Sequence, residues 1–289
     1  MGKQLINSGL LDEMTINPIV KGQAAQLSDA RGLRPPLKWA GGKRWFLSVI
    51  ERYWQGHERR RLVEPFCGGL GVALGLSPAR ALLNDANPHL INFYNWVRAG
   101  LTITIDARNQ EPVYYANRAR FNQHIQAKTA GSNEAAQLFY YLNRTGFNGL
   151  CRFNLSGEFN VPFGRYSDRL KYVADFTSYR QQFKQWTFTC SDFEDLAIEA
   201  EDFIYADPPY DVDFTTYSRG GFSWADQVRT ANWLAAHQGP VLLSNQATPR
   251  IEELYTRLGF RLEYHEAPRR IRCNGDRTFA CEVLAIKGL

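Results

Sequence analysis

An apolar run that ends in a glycine-rich turn, followed by a second apolar run that ends on an acid, leaves a chain few ways to fold. Here the first run is RLVEPF (Arg61 to Phe66), which passes into CGGLG (Cys67 to Gly71). VALGL then reads as a helix start, ALLND closes a second strand at Asp85, and ANPHLINFYNWVRAG continues as a helix. Strand, glycine turn, helix and strand make the opening unit of a doubly wound sheet, because a right-handed crossover lays the second strand parallel to the first. The fold class predicted is α/β.

The alternation then breaks. About 120 residues separate Asp85 from Asp207, more than one crossover needs. EAAQLFYYLNR reads as a helix, and GFNGLCRFNLSGEFNVPFGRY (Gly146 to Tyr166), with its glycines, alternation and SGE turn, reads as a hairpin. An inserted module is therefore expected here. Strands resume with QWTFTCSDF, DFIYADPPY and GPVLLSNQ, and a terminal pair, FRLEYHEA and FACEVLAIKG. The first 33 or so residues are polar and aperiodic and read as a tail or a peripheral cap. The sequence has no internal repeats and no low-complexity tracts.

Composition narrows the partners. At 289 residues the chain can bury a full core. No run approaches the roughly 18 apolar residues of a membrane span, so a cytosolic protein is expected. The five cysteines (Cys67, Cys151, Cys190, Cys273, Cys281) include no CxxC pair, and the five histidines lack ligand spacing, so neither a metal site nor a disulfide framework is expected. Net charge is +5, permissive for a polyanion. Its arrangement says more. HERRR (His57 to Arg61) and RRIR with Arg277 are basic clusters, and Arg144, Arg152, Arg165 and Arg169 recur through an aromatic-rich middle. Arginines among aromatics suit phosphate pairing and base stacking, though any one of them also reads as a solvated surface group.

The chemistry concentrates at the strand end YADPPY. Phe203 to Ala206 reads as a buried strand that stops at Asp207, Pro208, Pro209 and Tyr210. The exocyclic amine of adenine is a poor nucleophile, because its lone pair is delocalised into the ring. The Asp207 carboxylate and the Pro208 carbonyl would accept both amine hydrogens, Pro209 would stiffen the turn, and Tyr210 would stack on the base, so rate would come from alignment and electrostatics. The bland reading is a tight turn, but α/β sheets bind ligands at such carboxyl ends of strands. The glycine turn is a weaker signal by itself. Asp85 reads either as an acceptor for a ribose diol or as a helix N-cap. No dinucleotide spacing and no P-loop lysine follow the turn, so a nucleoside cofactor without phosphates is preferred, and S-adenosyl-L-methionine fits.

These motifs, in this order, resemble the Dam-like DNA adenine-N6 methyltransferases (D12 class, motif order alpha) from about Pro36 to the C-terminus. The resemblance implies a Rossmann-like S-adenosylmethionine-dependent methyltransferase sheet with an inserted helical/β-hairpin target-recognition domain. PPLKWAGGKRW resembles the cofactor segment and would set Trp39, Ala40 and Lys43 near the methionine part of the donor. EPFCGGLG resembles the glycine motif, with Phe66, Gly68 and Gly69 at the cofactor. NDANPHL carries the ribose acid Asp85, and CSDF supplies Asp192 near the donor's adenine. YADPPY is the catalytic motif, with Asp207 also at the donor, LLSN is a further core strand, and RRIRCNG is the late motif beside the target pocket. One departure is Leu70, which stands where the family's last glycine usually lies, so a slightly re-shaped loop is expected.

The middle segment resembles the recognition hairpin of GATC-modifying members. By that likeness Asn148, Leu150, Arg152, Pro162 and Tyr166 contact or intercalate at the site. Phe147 replaces an intercalating tyrosine, and Arg144 and Arg165 meet phosphates. An arginine such as Arg152 suits bidentate pairing with guanine O6 and N7. The implied domains are 1–34 (tail), 35–87 with 173–289 (catalytic) and 88–172 (recognition). The implied activity is site-specific methylation of adenine N6 in double-stranded DNA, with base flipping and, by that likeness, a GATC target. The implied setting is the cytoplasm of a bacterium or a phage host, without metal, membrane or obligate protein partner. Rival readings are another DNA sequence, an RNA target or an inactive DNA-binding homologue. Enzymes acting on cytosine N4 more often carry serine at the Asp207 position, and those acting on guanine N2 or glutamine lack the hairpin. A cytosine-C5 enzyme needs a Pro-Cys pair, and none exists here.

Overall fold

A computed structural model of the chain describes residues 32–166, 175–211, 221–267 and 280–289. Most of the tail, Arg169, Cys273, the cluster from Arg269 to Arg277 with RRIRCNG, and the end of the DVDF stretch lie outside the described residues. Seven strands form one sheet: β1 (Leu62–Glu64), β2 (Ala81–Asn84), β3 (Trp186–Thr189), β4 (Phe203–Ala206), β5 (Val241–Gln246), β6 (Arg261–Ala267) and β7 (Ala280–Lys287). Their order is β3-β2-β1-β4-β5-β7-β6. The first five are parallel, β7 is antiparallel to β5, and β6 is antiparallel to β7. The chain winds outward from β1 to β3, then returns to β4 on the other side. This topological switch between β1 and β4 opens a crevice at their carboxyl ends. It is a doubly wound, Rossmann-like sheet with an antiparallel pair at one edge.

The helices are α1 (Leu47–Trp54), α2 (Ala73–Leu76), α3 (Pro88–Ala99), α4 (Glu111–Gln126), α5 (Asn133–Thr145), α6 (Thr177–Gln182), α7 (Trp224–Ala236) and α8 (Pro249–Arg257). Strand side chains alternate between faces, and both faces are covered, which is why the parallel strands read as unbroken apolar runs. Leu62, Leu83, Phe203, Tyr205 and Leu242 share one core with Ile50 of α1 and Phe93 and Tyr94 of α3. Val63, Leu82, Ile204 and Leu243 face the other way, onto Leu234 of α7 and Leu254 of α8.

The first of these cores continues into the middle segment. Phe121 of α4, Tyr140 of α5, Phe159 and Val161 belong to it, and Tyr140 stacks on Phe93 at 5.5 Å. Gly146 to Tyr166 does double back, but with isolated antiparallel bridges at Gly146–Phe163 and Phe153–Phe159 in place of a continuous ladder. Pro162 has no N–H to give, and Asn148 and Gly149 are left-handed at φ +53° and +64°, so regular pairing cannot propagate. Helix α4 takes over as the missing strand. Asn122 bonds both the N–H and the carbonyl of Phe159, at 2.8 and 3.1 Å, while Tyr114 and Arg118 donate to the Val161 carbonyl at 2.9 and 3.0 Å.

His89, in the first turn of α3, stacks on Phe153 of this segment at 5.1 Å. Burial pushes its pKa down to about 4 from 6.5, and a helix N-terminus disfavours a cation in the same sense. The folded state therefore binds the proton more weakly than the unfolded chain. Its contribution is complete above about pH 6.5 and is lost as pH falls toward 4, on the order of 3 kcal/mol in all. Thermal melts of wild type and His89→Phe across that window are expected to converge in their pH slope only at its ends, with the variant flatter between them. Parallel curves would show that His89 carries no acid sensitivity.

Candidate active site

The carboxyl ends of β1 and β4 bring two acids to the crevice. Asp207 follows β4. Its Oδ1 accepts a hydrogen bond from the Ser244 hydroxyl of β5 at 2.7 Å, and its Oδ2 pairs with Lys43 Nζ at 3.0 Å. Lys43 is 5% exposed, donates to the Gly41 carbonyl at 2.9 Å, and lies 4.6 Å over the Tyr210 ring. The Tyr210 hydroxyl donates to Glu282 Oε2 of β7 at 2.7 Å. Glu64 ends β1 and is buried, and its Oε1 has no hydrogen-bond partner among the described residues. Exclusion of water raises its pKa well above the usual carboxylate range, against a backbone hydrogen bond from Ala73 and with the Asp207 charge adding to the rise.

A buried polar network holds the Asp-Pro-Pro-Tyr turn from below. Gln227 of α7 donates to the Pro209 carbonyl at 2.7 Å, and its own oxygen accepts from Asn245 Nδ2 at 3.0 Å. Asn245 also donates to the Tyr255 hydroxyl at 3.0 Å and accepts the Asp211 N–H at 3.3 Å. Beyond the turn, the Asp211 carboxylate pairs with Arg250. Fully satisfied networks of this kind fix one geometry.

Trp39 lies across the glycine turn. A Cβ on Gly68, at φ +44°, would meet its ring at 2.9 Å, and one on Gly69 would come within 2.7 Å of Trp39 Cβ. Leu70 is buried and left-handed at φ +62°, a conformation that costs a non-glycine residue about 1 kcal/mol. At the position of the displaced glycine a leucine thus bears the strain of the left-handed turn. Asp85 ties this turn to the next. Its Oδ2 accepts the Gly68 N–H at 3.0 Å and its Oδ1 the Asn87 N–H at 2.9 Å. Burial raises its pKa, opposed by those two N–H groups. The helix cap that Asp85 was open to being is Asn87 instead, whose Oδ1 accepts from His89 and Leu90 of α3 at 3.0 and 3.3 Å.

Toward the β3 edge, Phe66 packs on Phe193 at 5.6 Å. Asp192 accepts from Glu194 N at 3.0 Å and pairs with Arg229 at 2.9 Å, a cation that also grips Glu194 and Asp226. Ala40 is exposed beside the Gly41–Gly42 turn. The expected cofactor residues therefore form three groups along the carboxyl ends of β4, β1, β2 and β3. Among these, Lys43 reaches the Asp-Pro-Pro-Tyr turn through its ion pair with Asp207.

Of the residues expected to meet DNA, Arg144 lies near the end of α5 and the others on the doubled-back segment. Phe147 is 48% exposed, Asn148, Pro162 and Arg165 are exposed, and Leu150 packs half-buried on the core. Exposed Arg152 donates to Asn160 Oδ1 at 2.8 Å, and Arg165 lies 3.8 Å from Glu111. The Tyr166 hydroxyl donates to the Gly146 carbonyl at 3.2 Å, and Lys38 Nζ stands 3.7 Å over its ring. Lys38 also reaches the Arg144 carbonyl at 3.4 Å. The link between segments is Asn143, which accepts the Lys38 N–H at 2.8 Å and donates to the Lys38 and Gly149 carbonyls at 2.7 and 3.2 Å.

Sequence reasoning passed over Asn143, Gln227, Ser244, Asn245, Glu64 and Glu282. The acids carried a signal: each stands in a strand run that is otherwise apolar. Among the described residues no group of three His, Cys, Asp or Glu could hold a metal ion, and no helix is long and apolar enough to cross a membrane. Cys67, Cys151, Cys190 and Cys281 are free thiols.

A doubly wound sheet with an acid, two prolines and a tyrosine at its switch point has the architecture of a methyltransferase acting on an amino group. Residues 39–271 match the family described as D12 class N6 adenine-specific DNA methyltransferase, and the chain belongs to it. It is 36% identical over 269 residues to the DNA adenine methylase of Escherichia coli strain K12, covering 86% of this chain and 94% of that one. It is 33% identical to the Retron Ec67 DNA adenine methylase of Escherichia coli (87% and 90% covered). It is 38% identical to the DNA N-6-adenine-methyltransferase of Escherichia phage P1, over 88% of this chain and 35% of that longer protein. Among solved structures, magnesium protoporphyrin IX methyltransferase from Synechocystis PCC 6803, with bound SAM, overlaps at a TM-score of 0.35 and 10% identity, covering 85% and 80%. The enzyme is thus a DNA adenine methyltransferase with S-adenosyl-L-methionine as its methyl donor.

Proposed function

We propose that the enzyme reads GATC in duplex DNA, turns the adenine out of the helix and presents its N6 to the donor at Asp207. The observation that carries this reading is the Asp207 carboxylate itself. It stands at the switch point, aimed by Ser244 and Lys43, next to the ring of Tyr210. Asp207 and the Pro208 carbonyl accept the two amine hydrogens, which directs the nitrogen lone pair away from the ring plane, and the base stacks on Tyr210 opposite Lys43. S-adenosyl-L-methionine, when bound, supplies an electrophilic methyl on a sulfonium. The residues present fit it. Glu64 offers a bare buried oxygen to a cationic group, Asp85 keeps lone pairs for a ribose diol beyond its two backbone bonds, and Trp39 walls the glycine turn. Phe66 and Asp192 border the adenosine end. Extrusion costs a few kcal/mol of stacking and pairing, offset by Phe147 and Leu150 filling the gap.

Labelled-methyl transfer to duplexes carrying GATC, or single-base variants of it, tests the reading, with label expected on adenine of GATC alone. Equal labelling of the variant duplexes would remove the sequence assignment. Arg152 reaches a guanine by exchanging Asn160 for O6 and N7. Arg152→Ala is expected to lose about 1–3 kcal/mol of discrimination at one base pair, read as a ratio of kcat/KM between cognate and variant duplexes. A ratio unchanged from wild type would reassign that base pair to another residue.

A further inference from the structure

We propose that Glu282 is a positioning residue for methyl transfer, acting on the target base through Tyr210. The proposal rests on the reading of Tyr210 as the face on which the adenine stacks. Glu282 stands in β7 on the same side of the sheet as Leu284 and Ile286, where strand alternation calls for an apolar side chain. It is 8% exposed. An acid taken out of water at such a place is costly unless something needs it there.

Two neighbours give it a task. Its Oε2 accepts the Tyr210 hydroxyl at 2.7 Å, and the charge of Lys43, which sits over the Tyr210 ring and on Asp207, lies close enough to oppose the rise in pKa that burial causes. The Tyr210 ring is half-buried beneath the Lys43 ammonium, a contact that holds its plane only loosely. The turn's backbone is fixed through Pro209 and Asp211 by Gln227 and Asn245, but those bonds do not reach the ring. Among the described residues, the hydroxyl bond to Glu282 is the hydrogen bond that anchors the far end of the ring, and with it the plane of the stacking surface. A misaligned plane would tilt the base and move its amine off Asp207, which lowers turnover more than it weakens donor binding.

The test is a double-mutant cycle on the full chain, measuring methyl transfer to the GATC duplex. Glu282→Ala is expected to lower kcat about tenfold with the donor KM within about twofold, and Glu282→Gln, which still accepts the hydroxyl, to recover to within about threefold of wild type. In the Tyr210→Phe background, where no hydroxyl remains to be held, Glu282→Ala is expected to cost less than about twofold. The same tenfold loss in both backgrounds would overturn the proposal, since Glu282 would then act elsewhere. An arm independent of turnover uses protein labelled with 3-fluorotyrosine, the Tyr210 fluorine resonance being assigned by its loss in Tyr210→Phe. That resonance is expected to shift in Glu282→Ala and to return toward its wild-type position in Glu282→Gln. An unmoved resonance would sink the contact. Failure of the wild-type enzyme to label adenine would instead strike at the proposed function.

Discussion

Asp207→Ala is expected to cut methyl transfer by about 10³-fold or more while leaving affinity for duplex DNA within a few-fold of wild type. The carboxylate is an acceptor placed in advance of the reaction. Ser244 holds one oxygen and Lys43 the other, so no reorganisation is needed when the amine arrives. On the proposed reading, DNA affinity comes mainly from phosphate and recognition contacts on other segments, which this substitution does not touch. The same change strands Lys43, which is 5% exposed and loses its ion-pair partner. Breaking a buried pair from one side costs about 3 kcal/mol, so the melting temperature is expected to fall as well. The two effects separate in Asp207→Ala/Lys43→Met, which is expected to regain the melting temperature without the turnover. Substantial activity in Asp207→Ala would remove the amine-alignment mechanism, whatever the melts show.

Asn143→Ala is expected to damage both halves of the site together. One amide, 2% exposed, satisfies the Lys38 N–H, the Lys38 carbonyl and the Gly149 carbonyl. Removing it leaves three backbone groups short of partners. With partial access of water the loss is about 3 kcal/mol, or roughly 5–10 °C in melting temperature for a chain of this size. Lys38 immediately precedes Trp39, and Gly149 lies between Asn148 and Leu150. Kinetics well below the melting range should therefore show a raised KM for the donor and for DNA in the same variant. A raised KM for DNA alone would mean that the amide serves only the recognition loop.

Much of this was legible in the sequence because it was written in local patterns. The doubly wound sheet followed from apolar runs with a glycine turn between the first two, and the terminal antiparallel pair was visible in FRLEYHEA and FACEVLAIKG. Asp207 and Tyr210 stood out because an acid and an aromatic at a strand end need a reason. The groups that aim them were not legible in the same way. Gln227 lies in a helix and Asn143 at the end of another, and nothing in their neighbours' identities announces a carbonyl waiting across the fold. The ladder anticipated between Gly146 and Tyr166 is supplied in part by Asn122, Arg118 and Tyr114, because side chains from a helix can replace a strand and leave no periodicity behind. The ion pair between Lys43 and Asp207 joins two segments far apart in the chain, and no local pattern announces it.

On the proposed reading of the Gly146–Tyr166 loop as the target reader, the core that runs without a break from beneath the sheet through Phe93, Tyr140, Phe121 and Phe159 bears on how new target preferences arise. A reading head built on a separable domain could be exchanged whole between relatives. Here a graft of the loop alone would leave Asn122 and Tyr114 facing foreign backbone, and a graft of the helices would expose the underside of the catalytic half. Drift in the few outward-facing side chains at the loop surface is the route that leaves folding untouched.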